Sequence, residues 1–462
     1  MALGVTSDAS VLAILKEYYG VQNIESLVFR NSPVLGKIKK ERVGGKYVPL
    51  PMAVYGSGAV TSDYTQVISQ AANSYLGVSM QVTPGRLFSS FVIDPEEWLA
   101  SQMDKAAFKS VFAIRAFLAL DDMRKVLASA FYRRGYLELG QVLTGGVDTS
   151  AYLYVDVDPS TAMAVSPGTQ ILFAATNPNG VLRSANAVTV SSIQTIQSSG
   201  NVRITFTAAF VNTVVATDWL IIKGGRDGSG NPNAPVGLGD WIPSVANRSG
   251  ATWTTYIGTN FFGVNRSVAP ERLAGQFVQR NAAGNESYTD ALIRLIKQVR
   301  RGGGVPDMIV VNDEDFQVVL NDALKNRTFF QSFDSVSSAR GNKVTQGLSM
   351  LNMSFSTNWI SSVYDDPYCP KGVAYVLDSE SLRLFTITNA QEILKELPLG
   401  NEPGSPNIQQ ASEMNSQYVF LQDDMYTTSP VALQSGPGLR VDLQLFAQFA
   451  VLRPAHNGVC VF

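Results

Sequence analysis

The chain has 462 residues, 45% of them hydrophobic and 16% charged, with a formal net charge of −2 and a pI near 5.7. This supplies a large apolar core and excludes a disordered or low-complexity chain, while the missing positive excess excludes an ordinary free nucleic-acid binder. The cysteines, Cys369 and Cys460, leave one bridge open but do not make a disulfide-stapled secreted scaffold.

The N-terminus, MALGVTSDASVLAILKEYYG, lacks a basic stretch followed by a long apolar one, so no signal peptide is expected. No apolar run approaches the roughly 18 residues of a membrane span. The sequence therefore points to folding in a cytoplasm and work without a membrane. Residues 8–30 read as one or two short helices, with Asp8 or Ser10 as caps. A basic, Gly-containing stretch follows: Lys37, Lys39, Lys40, Arg42 and Lys46. It is either a solvated loop or an extended arm that contacts a neighbour or a polyanion. Residues 1–46 carry a net charge of +3, against −7 for residues 361–424.

Residues 47–93 hold short β-like runs with too few large apolar residues for a core of their own, so they must pack against something else. Asp94-Pro95-Glu96-Glu97 then fits a helix start: Asp94 as N-cap, Pro95 at N1 and Glu97 completing a capping box. No further Pro or Gly interrupts the pattern before Gly135. Either one helix runs from 95 to 134, roughly 60 Å long at 1.5 Å per residue, or two ordinary helices break near Leu120-Asp121.

Residues 151–223 contain only six charged side chains and are rich in Val, Thr, Ile, Ser and Ala. AVTVSSIQTI and NVRITFTAAF alternate around SSGN and predict a hairpin within a small β-rich domain. A mixed α/β pattern follows Gly263. SYTDALIRLIKQVRR predicts an amphipathic helix stopped by Gly302-Gly303-Gly304, PDMIVVN a buried strand, and DEDFQVVLNDALKN a helix capped by Asn312. GVAYVLD and SLRLFTIT predict a hairpin around Ser379-Glu380, and the chain closes in strands within SQYVFLQDDMYTT and LRVDLQLFAQFAVLRP.

Catalytic signatures are missing from this pattern. The one histidine, His456, has no G-x-S-x-G elbow to serve, because Leu351 stands where Gly347-Leu348-Ser349 needs its last glycine. Two Cys and one His cannot make an ordinary zinc finger. Asp227-x-Ser229-x-Asn231 opens like a calcium loop, but Pro232 and Leu238 occupy the positions that need Gly and Glu. No phosphate-cradling glycine motif occurs. The adjacent acid pairs Asp121-Asp122, Asp365-Asp366 and Asp423-Asp424 read as solvated faces. Neither an enzymatic activity nor a cofactor or metal is expected.

The order of features (basic arm, β excursion, long capped helix, α/β domain, returning strands) resembles the Hong Kong 97 capsid fold of tailed-bacteriophage major capsid proteins. FFGVNRS (261–267) with RLAG after it, PDMIVVNDEDFQVVLNDAL (306–324), KGVAYVLDSESLRL (371–384) and LFAQFAVLRPAHNGVCVF are similar to phrases of that family. The resemblance implies an α+β fold with an N-terminal arm (1–46), extended β loop (47–94), spine helix and peripheral domain (95–150), β-rich insertion (151–265), α/β axial domain (266–400) and returning strands (401–462). It implies a shell subunit that assembles with itself into pentamers and hexamers of an icosahedral head around double-stranded DNA. Such a chain would be assembled in the host bacterial cytoplasm and reside in the virion capsid, with portal, scaffolding and decoration proteins as further partners. On that reading Lys37, Lys39, Lys40, Arg42, Lys46, Arg124 and Lys125 would face packaged DNA or a neighbouring subunit. Encapsulin nanocompartments share the implied fold and stand as the alternative. A β-rich adhesin or tail structural protein would explain 151–223 but not the long helix or the α/β unit.

Overall fold

A computed structural model of the chain describes residues 34–43, 46–55, 62–63, 65–66, 76–93, 118–119, 121–175, 177–245, 248, 250–281, 283–325, 351–356, 359–387, 418–420, 426–428, 431–432 and 439–462. Two compact units divide it. The first takes Met1–Met52, Gly77–Asp240 and Arg383–Ala450, and the second Ala53–Leu76, Trp241–Leu382 and Val451–Phe462.

A closed six-stranded barrel forms one part of the first unit. Around it run Trp219–Ile222, Glu138–Val147, Tyr154–Val157, Val202–Phe206, Val188–Thr195 and Gln170–Ala174, and the last pairs with the first. Val188–Thr195 and Val202–Phe206 are the hairpin that their alternation predicts. Glu138–Val147 lies ahead of the composition change at 151, and a register shift between Val142 and Val147 bends it. Gly145 sits in that shift at φ 74°, a conformation costly to any residue with a Cβ. Period-two alternation sends Val155, Val157, Ile171, Phe173, Ile204, Phe206 and Leu220 inward, where Phe210 joins them.

Four of the six charged residues of 151–223 form two bidentate pairs. Asp156 and Arg203 face each other across paired strands at 2.8 and 3.0 Å, and Arg183 grips the buried Asp218 at 2.8 and 2.7 Å.

The turn after Glu138–Val147 is built on Asp148. Its Oδ1 accepts from the Ser150 hydroxyl (2.7 Å), the Ser150 amide (3.0 Å) and the Ala151 amide (3.2 Å), and its Oδ2 from the Leu153 amide (3.1 Å). These donors, the Ser150 hydroxyl foremost, hold the carboxyl down from 3.8 to about 2. A pKa depressed on folding contributes stability that is complete above the unfolded value and disappears as the pH falls through the folded one. Asp148→Asn should therefore destabilise the barrel at neutral pH and flatten its loss of stability between about pH 4 and pH 2. Thermal midpoints of both chains across that range check this; equal acid-side slopes would contradict it.

The other part of the first unit is a seven-stranded sheet built on the strand Leu439–Val451. Val441, Leu443, Leu445 and Ala447 are buried and alternate with Asp442, Gln444 and Phe446, which are not, so one face of this stretch packs and the other does not. It pairs antiparallel with Gly85–Ile93 through nine residue pairs, from Leu439↔Ile93 to Ala447↔Gly85. Lys39–Val43 lies at the sheet edge, parallel to Leu382–Ile387. Val48–Tyr55 and Leu76–Val82 form a separate two-stranded sheet.

Of the segment 95–134, the described part is helical at 118–119 and 121–131, so the question of one long helix or two falls outside the described residues. The helix stops short of Arg134 because the amides of Tyr132 and Arg133 turn to the carbonyls three residues back. Its buried Phe131 meets Phe449 edge-on at 5.1 Å. Buried Gln448 reads both polar groups of Val236, accepting from its amide (3.2 Å) and donating to its carbonyl (3.0 Å).

The second unit centres on a six-stranded mixed sheet in the order Gln276–Gln279, Gly458–Val461, Val373–Leu377, Met308–Val311, Trp359–Asp365, Leu351–Ser356. Helix Tyr288–Arg301 is capped by Ser287, whose hydroxyl accepts from the Asp290 amide. It buries Leu292, Leu295, Ile296 and Val299 with strand residues Ile309, Val311, Val376 and Cys460. Its last carbonyls accept from the amides of Gly302, Gly303 and Gly304, the stop that the glycines predict. Asn312 ends the strand Met308–Val311 and begins helix Asp313–Lys325, its side chain accepting from the Glu314 amide at 3.1 Å.

One expected hairpin is corrected. Val373–Leu377 lies between Met308–Val311 and Gly458–Val461 in the mixed sheet, whereas Leu382–Ile387 belongs to the sheet of the first unit. Both edges of the first strand are occupied, so it has no ladder to offer the second. Between them, the Asp378 carboxylate accepts from the Glu380 amide and starts a short 3-10 turn, Ser379–Ser381, that carries the chain from one sheet to the other.

Candidate functional site

The single histidine and both cysteines lie in the second unit. His456 Nδ1 lies 3.5 Å from Asp378 Oδ2, but the nearby Ser381 hydroxyl already donates to the Asp378 carbonyl (2.7 Å) and accepts from the buried Asn457 amide (2.7 Å). Asn457 also accepts from the Asp378 amide at 2.9 Å, so this network joins the strand ends of the second unit. Cys369 and Cys460 are buried free thiols, and burial pushes Cys460 up to about 12, away from reactive thiolate. Among the described residues, no group of three or more His, Cys, Asp or Glu is placed to hold a metal ion. The carboxylate of Asp227 instead accepts from the amides of Ser229 (2.9 Å) and Asn231 (2.7 Å) and from the Asn231 side chain (3.0 Å), which shapes its own loop.

The basic candidates fall into two places. Lys37 closes the short 3-10 turn Leu35–Lys37, and Lys39, Lys40 and Arg42 stand on the edge strand Lys39–Val43. Lys37, Lys39, Lys40 and Lys46 are exposed. Strand alternation directs Lys39 and Lys40 to opposite faces, so the basic run does not make one flat patch. Glu41 on the same strand pairs with Arg383 at 2.6 Å. Charged side chains on an edge strand also discourage unwanted pairing, which is a structural use for the same residues. Arg124 and Lys125 lie on helix 121–131, half-buried. Lys125 bridges Asp121 (3.3 Å) and Asp122 (3.2 Å), and Asp122 also accepts from the Ser166 hydroxyl at 3.0 Å, tying helix to barrel.

Sequence reasoning missed the arginine–aromatic contacts of the second unit. FFGVNRS folds into a tight turn with Phe262 at φ 48° and Gly263 at φ 83°. Buried Arg266 lies 4.2 Å from the Phe261 ring centre and 5.1 Å from that of Tyr256. The motif was visible as a phrase, but nothing in its spacing announced an inward-pointing arginine. Apolar side chains are also exposed: on Gly85–Ile93, Phe88 is 61% and Val92 42% exposed, and Tyr47 and Tyr55 are exposed as well.

No family model and no curated protein matches the sequence. The solved structures do match over nearly the whole chain. The capsid asymmetric unit of cyanophage A-1(L) aligns with a TM-score of 0.52 at 12% identity, covering 96% of this chain and 95% of that one. The capsid of a native GTA particle gives 0.41 at 10% identity, covering 96% of each chain. The holo-SrpI encapsulin complex from Synechococcus elongatus PCC 7942 gives 0.39 at 7% identity, covering 97% and 94%. Of these three, the cyanophage alignment carries the fold, since its TM-score is above 0.5. This chain has the α+β Hong Kong 97-like capsid fold of tailed-phage major capsid proteins.

Proposed function

We propose that the chain is the major shell subunit of a tailed-phage head, assembling with copies of itself into pentamers and hexamers that enclose double-stranded DNA. The observation that carries this is the near-complete two-way alignment with a phage capsid subunit. Two features of the molecule support it. A two-stranded sheet such as Val48–Tyr55 with Leu76–Val82 is marginal in water on its own and suits an excursion stabilised by a neighbour. Phe88 and Val92 present apolar area of the kind that permanent interfaces bury, typically 2,000–5,000 Å² in all.

The arm, 1–46, and the loop, 47–94, would reach across neighbouring subunits, while the α/β domain, 266–400, would gather around the five-fold and six-fold centres. Lys37, Lys39, Lys40, Arg42 and Lys46 would meet packaged DNA through nonspecific phosphate contacts, weak enough to let the genome leave. Arg124 and Lys125 would contribute less, since Lys125 is already neutralised by two carboxylates. The test is nuclease-protected DNA in purified particles. Wild-type shells should protect DNA, and a Lys37/Lys39/Lys40/Lys46→Gln chain should form shells that hold less of it or lose it at lower salt. Unchanged DNA content would remove these lysines from the inner surface. Shells that hold protein and no DNA would replace the genome container with an enzyme-carrying compartment.

A further inference from the structure

The second unit contains a cleft of about 440 Å³ that the shell reading does not use, a volume in the range of small-molecule sites. Its charged lining is Arg248, Arg272 and Arg301 against one carboxylate, Glu271, a net charge of +2, and the amides of Gln276 and Gln298 complete the polar wall. Arg248 is fixed before any ligand arrives. It donates to the carbonyls of Gly275 (2.6 Å), Pro243 (3.2 Å) and Ala274 (3.4 Å), and its guanidinium lies 4.5 Å from the Trp253 ring centre and 5.1 Å from that of Phe277.

Carbonyls and rings orient this cation but bring no opposite charge, and its buried Nε has no hydrogen-bond partner. Burial foremost, with the like charge of Arg266 and against the opposite charge of Glu271, holds Arg248 down at about 10, so it stays charged at neutral pH with its charge only partly compensated. Arg272 and Arg301 stand exposed at the rim. The Gln298, Val299 and Arg300 carbonyls at the end of helix Tyr288–Arg301 accept from the amides of Gly302, Gly304 and Gly303, which engages part of the negative helix end beside the cleft.

We infer that the cleft binds a small phosphate-class dianion, with Arg248 as the preset cation at its wall and the Arg272 and Arg301 forks closing on the outer oxygens. Glu271 repels such a ligand and limits its affinity.

Calorimetric titration of the assembled full-length protein with inorganic phosphate at pH 8, where it is the dianion, and at fixed ionic strength, tests this. The expected result is saturable binding near one site per chain, weakened at least tenfold in the Arg272→Gln/Arg301→Gln chain and tightened in Glu271→Gln. Absence of saturable binding to the wild-type protein, or equal affinity in the double variant, would overturn the inference. If the double variant does not fold, Glu271→Gln decides alone: affinity equal to or weaker than wild type overturns the site.

Discussion

Phe173→Ala is expected to destabilise the barrel by about 3–5 kcal/mol, the range for truncating a buried phenylalanine. Phe173 is 4% exposed and touches Phe206 at 5.8 Å and Phe210 at 5.3 Å between ring centres, while Phe210 meets Phe206 and Tyr152 at 5.8 Å each. Strands close on every side of this cluster, so the wall cannot collapse inward to fill the space, and cavity cost adds to lost transfer energy. Val181→Ala is the matched control at 83% exposure and should change stability by no more than about 0.5 kcal/mol. Urea unfolding followed by tryptophan fluorescence compares the two. Equal midpoints would mean that the aromatic cluster is not the barrel's core.

The second large effect lies where helix Tyr288–Arg301 meets the mixed sheet. Leu295 is fully buried, and its Cδ1 stands 2.6 Å from where a Cβ on Gly458 would be, with a methyl of Val299 at 3.0 Å. Gly458 is therefore required by close approach of helix and strand. Leu295→Ala should cost about 2–5 kcal/mol through the cavity it opens, and Gly458→Ala about 1–3 kcal/mol through overpacking. The two changes share one space, so the doubly substituted chain should lose less stability than the sum of both. Denaturant midpoints of the four chains measure that coupling; strict additivity would contradict the contact.

Much of the architecture was legible where a single periodicity governs a segment. Helix Tyr288–Arg301 could be read from its apolar spacing and glycine stop, and Val188–Thr195 with Val202–Phe206 from β-branched alternation around a turn. The Ser379-Glu380 turn misled because two strands joined by a few residues usually pair. What prevented pairing was that Met308–Val311 and Gly458–Val461, distant in sequence, already flank Val373–Leu377. The closure of the barrel was similarly hidden, since Glu138–Val147 precedes the composition change and Trp219–Ile222 must return to seal it.

The candidate site was legible in part. The scarcity of histidine and cysteine left no local catalytic or zinc motif to read, and the assembly reading came from the resemblance. The basic run at 37–46 was visible as charge, but its division over two faces of an edge strand needed the sheet. Arg248 and Arg266 look like ordinary surface arginines in sequence, because the carbonyls and rings around them come from several segments, among them helix Ala251–Gly258 and strand Gln276–Gln279.

The most direct test of the shell reading is electron microscopy of the purified chain after size-exclusion chromatography. Closed icosahedral particles, or rings of five and six subunits, are the predicted result. A chain that stays monomeric across salt and protein concentration would contradict it.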